Sequence, residues 1–378
     1  MHDHDQKAPL SAVAVTSKGT SAQQAGPYVL SAAEKEAVLF PQLQERLAFH
    51  YAHCPEYARI LDAFGVKLEK LTSISELPFL PVALFKRLKL CSVPDSDVFK
   101  VLRSSGTSGQ MPSQVFLDRT NALQQQKTLV QIVTSFLQQP RLPMLIIDTP
   151  TVIQDRKSFS ARGAGILGFS LFGADRTYAL KEDMSLDHEA IDGFLQRHAG
   201  QRILVFGFTF VLWQYLCEGL RHEKQSLDLS GAVVFHGGGW KRLVGTGVNR
   251  ERLYTALAEM CHISPQNIHD YYGMSEQTGT IAVECEYGHL HCCDLSQIIV
   301  RNPLTLKECA VGESGVIQTI SLLPSSYPGN SILTDDVGVI LGCDDCPCGR
   351  KGKYFRVEGR LPQAELRGCS DTYQVPRS

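Results

Sequence analysis

No stretch of the 378 residues reaches the roughly 18 consecutive apolar positions that a bilayer-spanning helix needs. The amino terminus, MHDHDQ, carries acids and histidines where a secretory leader would begin with basic residues. Together these absences predict a cytoplasmic protein. Charge of one sign is scarce as well: 37 basic against 39 acidic residues leave a formal charge of -2, too little to hold nucleic acid by its phosphates. No repeat of fixed period runs through the chain, which excludes a solenoid. Cysteine, by contrast, is plentiful. Twelve in a chain without a leader argue for thiols, metal ligands or a reactive sulfur rather than a disulfide framework, and seven of them fall between 285 and 348.

The composition, 43% hydrophobic and 20% charged, is that of a globular protein. The length predicts one large domain with subdivisions, or two domains. Residues 1–26 are rich in Ser, Ala, Gln and Gly without apolar periodicity and read as a loose tail. From Ser31 to about Ala63 the pattern is helical, with Ser31 and Glu34 spaced as a capping box. ELPFLPVALFKRL reads as extended chain entering a short helix, and Thr120 to Gln138 as an amphipathic helix. PMLIIDTP, QRILVFGF and SGAVVFHGGGW are apolar strands running into turns, and beyond about 280 helices give way to short strands. Strands alternating with helices predict an α/β sheet with ligands at the strand ends.

RSSGTSGQ, residues 103–110, is a poor core and a poor helix. Its glycines free backbone N–H groups to point inward and its hydroxyls add donors, a nest for phosphate oxygens, although a solvated turn would have the same composition. No Gly-Lys-Ser/Thr follows, so it is not a Walker loop. GAGILG, residues 163–168, fits a dinucleotide fingerprint in letters only. The polar RKSFSAR stands where a buried strand should precede it, which makes packing the better reading.

SSGTSG at Ser104–Gly109, YYGMSEQTG at Tyr271–Gly279, LTDDVG at Leu333–Gly338 and VEGR at Val357–Arg360 resemble, in order, four motifs of adenylate-forming enzymes. LPFLPVALFK, FGFTFVLW, FHGGGWK and ELRGCSD resemble a narrower group, the acyl-protein synthetases of bacterial luminescence. Phenylacetate-CoA ligase is a more distant cousin. The likeness runs over about residues 30–378 and implies an α/β adenylate-forming fold whose separate carboxy-terminal lid is largely absent, since 18 residues follow Arg360.

By that resemblance, Ser104, Ser105, Gly106, Thr107, Ser108 and Gly109 would wrap the ATP phosphates. Glu276 would hold magnesium, and Ser275 would face the α-phosphate or the acyl carboxylate. Asp336 would accept both ribose hydroxyls and Arg360 would lie at the hinge against ribose and phosphate. Gly237, Gly238 and Gly239 would let the backbone lie along the adenine, with Tyr272, followed by Gly273, covering the other face. Each of these residues taken singly reads equally well as a turn or surface group. In one respect the chain departs from the pattern: Ser113 stands where the phosphate loop usually carries lysine, leaving Lys86 or Lys241 to supply the charge.

The resemblance also places an acyl-accepting thiol at Cys369, where Arg367 would favour the thiolate, against the alternative of an incidental cysteine. CEYGHLHCC and CDDCPCGR suggest zinc, and related ligases favour Cys285, His291, Cys346 and Cys348 as ligands, with Cys343 and His289 in reserve and free core cysteines as the alternative. The expectation is therefore a tail over 1–26, an adenylate-forming domain over 27–360 with a zinc region at 285–350, and an acceptor segment over 361–378. Its function would be ATP- and magnesium-dependent activation of a carboxylic acid, a fatty acid by resemblance, followed by transfer to Cys369 and on to a partner acyl reductase. VFGFTFVLW and GILGFSLFG would line an acyl tunnel or serve as core. Two other readings stay open: transfer to coenzyme A or a carrier protein, and a silent nucleotide-binding scaffold.

Overall fold

A computed structural model describes residues 26–104, 112–153, 161–239 and 248–361. Ser105 to Gly109, Lys241, Arg367 and Cys369, with nearly all of the expected tail and acceptor segment, lie outside the described residues.

The first helix, Ala32–His53, begins at the expected capping box: the Ser31 hydroxyl accepts from the Glu34 N–H, and the Glu34 carboxylate accepts from the Ser31 N–H at 2.8 Å. It stops ten residues earlier than the sequence pattern suggests. Pro55 disfavours a helical conformation at the residue before it, Cys54 is extended (φ -120°, ψ 97°), and a second helix, Pro55–Ala63, restarts from the proline. Strand β1 (Leu80–Pro81) then enters the short helix Leu84–Arg87, as ELPFLPVALFKRL predicts. A hairpin of β2 (Lys100–Arg103) and β3 (Gln114–Leu117) follows. The helix expected over 120–138 spans Arg119–Leu137, with Asp118 capping it through a 2.6 Å bond from the Asn121 N–H.

Five strands form a parallel block: β4 (Leu142–Ile147), β5 (Gly173–Tyr178), β6 (Ile203–Phe208), β7 (Ala232–Gly237) and β8 (Ile268–Tyr272), side by side as β5-β4-β6-β7-β8. Helices such as His188–Arg197 and Arg250–Cys261 pack against them, which explains why β6 and β7 are apolar without alternation. Beyond β8 the chain turns antiparallel, through β9 (Ala282–Glu284), β10 (Leu290–His291), β11 (Ser296–Arg301), β12 (Ser314–Ser321), β13 (Ser331–Cys343) and β14 (Lys353–Arg360). These continue the sheet in the order β8-β9-β10-β14-β13-β12-β11, and β1 pairs with β13. Among the described residues no α-helix follows Cys261, as the sequence predicts, and no helix is long and apolar enough to cross a membrane.

The apolar strings answer to the core. Phe206, Phe208, Phe210, Val211 and Leu212 are buried in the cluster around the parallel block, with Ile166, Phe169 and Phe172 beside them. GAGILG lies inside the helix Ala161–Phe169 rather than at a strand-to-helix turn, and a Cβ on Gly165 would stand 2.8 Å from the Phe208 ring. Close packing is therefore what that glycine serves. β8 joins the two halves, being parallel to β7 on one side and antiparallel to β9 on the other, so the ends of β6, β7 and β8 open where the two halves meet.

Candidate active site

Asp336 sits on β13 directly across from Arg360 on β14, and Arg360 Nε donates to its Oδ1 at 2.8 Å. Its other oxygen accepts from the Tyr272 hydroxyl at 2.9 Å. Three expected residues, separated by up to 88 positions in the sequence, thus meet through one carboxylate. Burial first, and then the charge of Asp336, push the Tyr272 phenol well above its ordinary pKa, so it is a neutral donor. Asp336 is itself oriented by Thr334, whose hydroxyl accepts from the Asp336 N–H at 3.1 Å and donates to the Ile317 carbonyl at 2.8 Å.

Ser275 and Glu276 lie in the 3-10 turn Ser275–Gln277 just beyond β8. The turn is held from behind: Tyr327 donates to the Glu276 carbonyl at 2.9 Å, and Gln277 Nε2 donates to the Gly329 carbonyl at 2.7 Å. The Glu276 side chain is only 5% exposed. Burial raises its pKa, while a hydrogen bond from Ser113 and the positive charges of Lys86 and Arg360 pull the other way. Ser113, at the position where lysine was expected, therefore faces the candidate magnesium carboxylate, and Lys86 bears on the same group. Ser113 also closes the neck of the phosphate-loop hairpin: its N–H donates to Ser104 Oγ at 2.9 Å, and its carbonyl accepts from the Ser104 N–H at 3.2 Å.

Gly237 ends β7, and Gly238 and Gly239 follow with φ of +90° and +71°, values that favour glycine. A Cβ on Gly237 would lie 2.6 Å from the Tyr271 ring, and one on Gly238 would strike Phe208. The crowding partners are thus two aromatic side chains, which the sequence pattern did not single out. Tyr271 and Phe169 pack with centroids 5.0 Å apart, and Phe169 stacks on Phe206 at 4.4 Å, an aromatic wall below the glycine turn. Gly273, between Tyr272 and the turn, lies where a Cβ would meet Ile281 at 2.8 Å.

The sequence also gave no sign of Asp148, at the end of β4. It is 1% exposed and pairs with Arg162 at 2.9 Å, and burial raises its carboxyl pKa to about 6 against the pull of that arginine. A buried Asp following an apolar strand is the only local signal, and turns supply such residues often.

Cys285, His291, Cys346 and Cys348 come together with one ligand atom from each within 4.8 Å of the others. The Cys285 and Cys346 sulfurs are 3.9 Å apart, against an edge of about 3.8 Å for a tetrahedron with Zn–S bonds of about 2.3 Å. Cys348 Sγ lies 3.4 Å from His291 Nε2, and His291 Nδ1 is buried without a hydrogen-bond partner. Burial pushes the His291 pKa down to about 3, which keeps the imidazole in its neutral, ligating form. The donor set and its spacing fit zinc. Of the reserves, His289 touches Cys346 Sγ at 3.2 Å without joining the four, and Cys343 turns aside to Asp344.

Comparison with known proteins bears on the family and the fold. A family model described as acyl-protein synthetase, LuxE, matches residues 13–375. A long-chain-fatty-acid--luciferin-component ligase of Vibrio harveyi is 23% identical over 347 residues, covering 87% of this chain and 86% of its own. The ligase of the same name from Aliivibrio fischeri is 23% identical over 363 residues, covering 91% and 90%. Among solved structures, 2-hydroxyisobutyryl-CoA ligase in complex with 2-HIB-AMP superposes with a TM-score of 0.68 at 17% identity, over 89% of this chain and 70% of that one.

Proposed function

The chain belongs to the LuxE family of acyl-protein synthetases, ligases that activate acyl groups at the expense of ATP, and from that premise we propose that it forms a fatty acyl-adenylate and passes the acyl group to its own Cys369. The observation that carries this reading is the convergence of Tyr272, Asp336 and Arg360 beside the buried Glu276, at the open ends of β6, β7 and β8. In the first step a carboxylate oxygen of the acid attacks the α-phosphorus of ATP, the bond to the β-phosphate breaks and pyrophosphate leaves. In the second, the Cys369 thiolate attacks the acyl carbon, a thioester forms and AMP leaves.

Asp336 would turn from its present partners to the ribose hydroxyls, and Arg360 would follow the phosphate. Ser104 with residues 105–109 would surround the β- and γ-phosphates, and Ser275 would face the reacting carboxylate. Residues 237–239 and Tyr272 would flank the adenine. Glu276 fits a magnesium site because burial makes its anion costly and a divalent cation would relieve that cost. Magnesium, when bound, would neutralise charge developing on the phosphate oxygens. Lys86 stands in for the missing loop lysine. Residues 27–360 would constitute the adenylating unit, and the four clustered Cys and His side chains would hold a structural zinc. From Arg360, the nine residues to Cys369 can span at most about 30 Å, and the thiol would have to meet the adenylate within that reach. A partner acyl reductase would then receive the acyl group.

The test is intact-protein mass spectrometry after incubation with ATP, magnesium and a panel of fatty acids, on wild type and on Cys369→Ala. An acyl increment on wild type, released by hydroxylamine and absent from the variant, is expected. AMP formation only when coenzyme A or a carrier protein is added would replace Cys369 with that acceptor. No pyrophosphate exchange with any acid would leave a nucleotide-binding scaffold.

A further inference from the structure

Beneath the glycine turn a chain of polar side chains crosses the core. Thr209, just after β6, places its Oγ1 3.1 Å from the Gly237 carbonyl and 2.9 Å from His236 Nδ1. His236 Nε2 is 3.0 Å from the Tyr254 hydroxyl, which donates to Glu284 Oε1 at 2.9 Å. Arg250 closes the chain with contacts of 2.7 to 3.0 Å to both oxygens of Glu284. Thr209 and His236 are fully buried, Tyr254 is 3% exposed and Glu284 5%. None of the four has a role in the function proposed above, yet an apolar core tolerates such a chain only when every member is satisfied.

Its protons can be counted. Four contacts link the Gly237 carbonyl, Thr209, His236, Tyr254 and Glu284, but Thr209, a neutral His236 and Tyr254 carry one hydrogen each, three in all. Burial pushes His236 down to about 3, and Arg250, forked onto both oxygens of Glu284, holds it as a carboxylate against the burial that raises its pKa, so neither group supplies a fourth proton at neutral pH. One contact must therefore go without a hydrogen, and the longest of the four, 3.1 Å at the Gly237 carbonyl, is the weakest. If Tyr254 donates to the arginine-held carboxylate, its oxygen accepts from His236 Nε2–H, Nδ1 accepts from Thr209, and Thr209 leaves the Gly237 carbonyl. If Thr209 serves that carbonyl instead, the gap moves along the chain: an Nε2–H ring leaves Nδ1 facing the Thr209 oxygen, and an Nδ1–H ring leaves either Nε2 or Glu284 without a donor. A bond to a charged acceptor is about twice as strong as one to a neutral carbonyl. Asp270 Oδ1, 3.7 Å from Nδ1, favours an Nδ1–H ring but lies beyond hydrogen-bond distance.

We propose that Thr209, His236, Tyr254 and Glu284 form a proton-ordered positioning relay, with His236 in its Nε2–H tautomer, that fixes the end of β7 and so the glycine turn used by the nucleotide. The relay ties the residue after β6 to the residue before Gly237, and anchors both to the strand that leads into Cys285. Its second part rests on the nucleotide reading above. The tautomer does not.

Two measurements test it. Long-range ¹H–¹⁵N correlation on histidine-labelled wild type, with His236 assigned by its loss in His236→Asn, should show a neutral Nε2–H ring at pH 7. An Nδ1–H or doubly protonated ring overturns the relay whatever the protein's activity. Titration with a fluorescent ATP analogue should then give a dissociation constant raised five- to twentyfold in Thr209→Val and Tyr254→Phe, and within twofold of wild type in Thr209→Ser, which keeps the hydroxyl. Equal weakening in Thr209→Ser and Thr209→Val, or no weakening in Thr209→Val, overturns the positioning role. Failure of wild type to bind the analogue at all overturns the nucleotide reading and leaves the tautomer to decide the relay.

Discussion

Glu276 carries a conflict that can be measured. Its carboxyl is buried and its pKa is raised, with Ser113, Lys86 and Arg360 only partly relieving the burial. A group whose folded pKa lies above its unfolded value contributes stability below the unfolded pKa, and that contribution is lost as pH rises through the folded one. Ionised, the side chain is therefore a burden on the fold, one that a bound cation would relieve. Glu276→Gln should lower the rate of pyrophosphate exchange on the order of 10²-fold, by analogy with losing one charge-stabilising group. Its melting temperature should equal or exceed that of wild type at pH 7, and this advantage should vanish below the ordinary value of 4.5. A variant that melts lower at pH 7 while still exchanging pyrophosphate would make Glu276 a structural residue.

At the scale of elements, the turn from β9 to β10 and the turn from β13 to β14 have little apolar contact of their own. Cys285, Cys346 and Tyr354 form a separate small cluster, and Arg350 reaches back to Glu286 at 2.9 Å. A metal shared between these turns would hold β10 against β14, a pair only two residues long. Metal analysis should find one zinc per chain, and cobalt substitution should give sulfur-to-metal charge-transfer absorption. Cys346→Ser should lose most of both signals and melt several degrees lower, because the binding free energy of a structural metal is folding free energy. A full complement of zinc in Cys346→Ser would dissolve the proposed ligand set. The cluster was legible in outline because CEYGHLHCC and CDDCPCGR concentrate cysteine and histidine in two short strings, the four within them being what the resemblance implied, and the capping box was legible from Ser31 and Glu34. The break at Cys54 shows Pro55 overruling an otherwise helical pattern, whereas Pro41 is absorbed within the first helix. The relay was invisible for another reason: Thr209, His236, Tyr254 and Glu284 come from four segments and each alone is an ordinary residue in an apolar run. Short-range spacing announces caps and loops, whereas a buried polar chain exists only once the sheet has formed.

At the scale of the whole molecule, three buried imidazoles among the described residues, outside the Cys and His cluster, should set the acid limit. His50 in the first helix bonds Ser92 at 2.7 Å, and burial lowers its pKa to about 4. His269 on β8 bonds the Glu284 carbonyl at 2.8 Å and is lowered to about 4, and His236 on β7 to about 3. A depressed folded pKa gives stability that is present above the unfolded value of 6.5 and is lost as pH falls toward the folded value. At about 1.4 kcal/mol per pKa unit, His50 and His269 each represent roughly 3 kcal/mol and His236 roughly 5 kcal/mol. Against a total of about 5–15 kcal/mol for a folded domain, three of them are decisive even if their effects do not add. The protein should therefore lose stability steadily from about pH 6.5 downward and unfold near pH 4 to 5, well before its carboxylates are fully protonated. His50 belongs to the core beneath the first helix, whereas His236 and His269 lie in the parallel block. Replacing His50 with Gln, which can bond Ser92 without titrating, should move the acid midpoint to lower pH in both far-ultraviolet circular dichroism and tryptophan fluorescence. If only one probe moves, the two cores unfold separately. If neither moves, His50 is not among the groups that open the molecule.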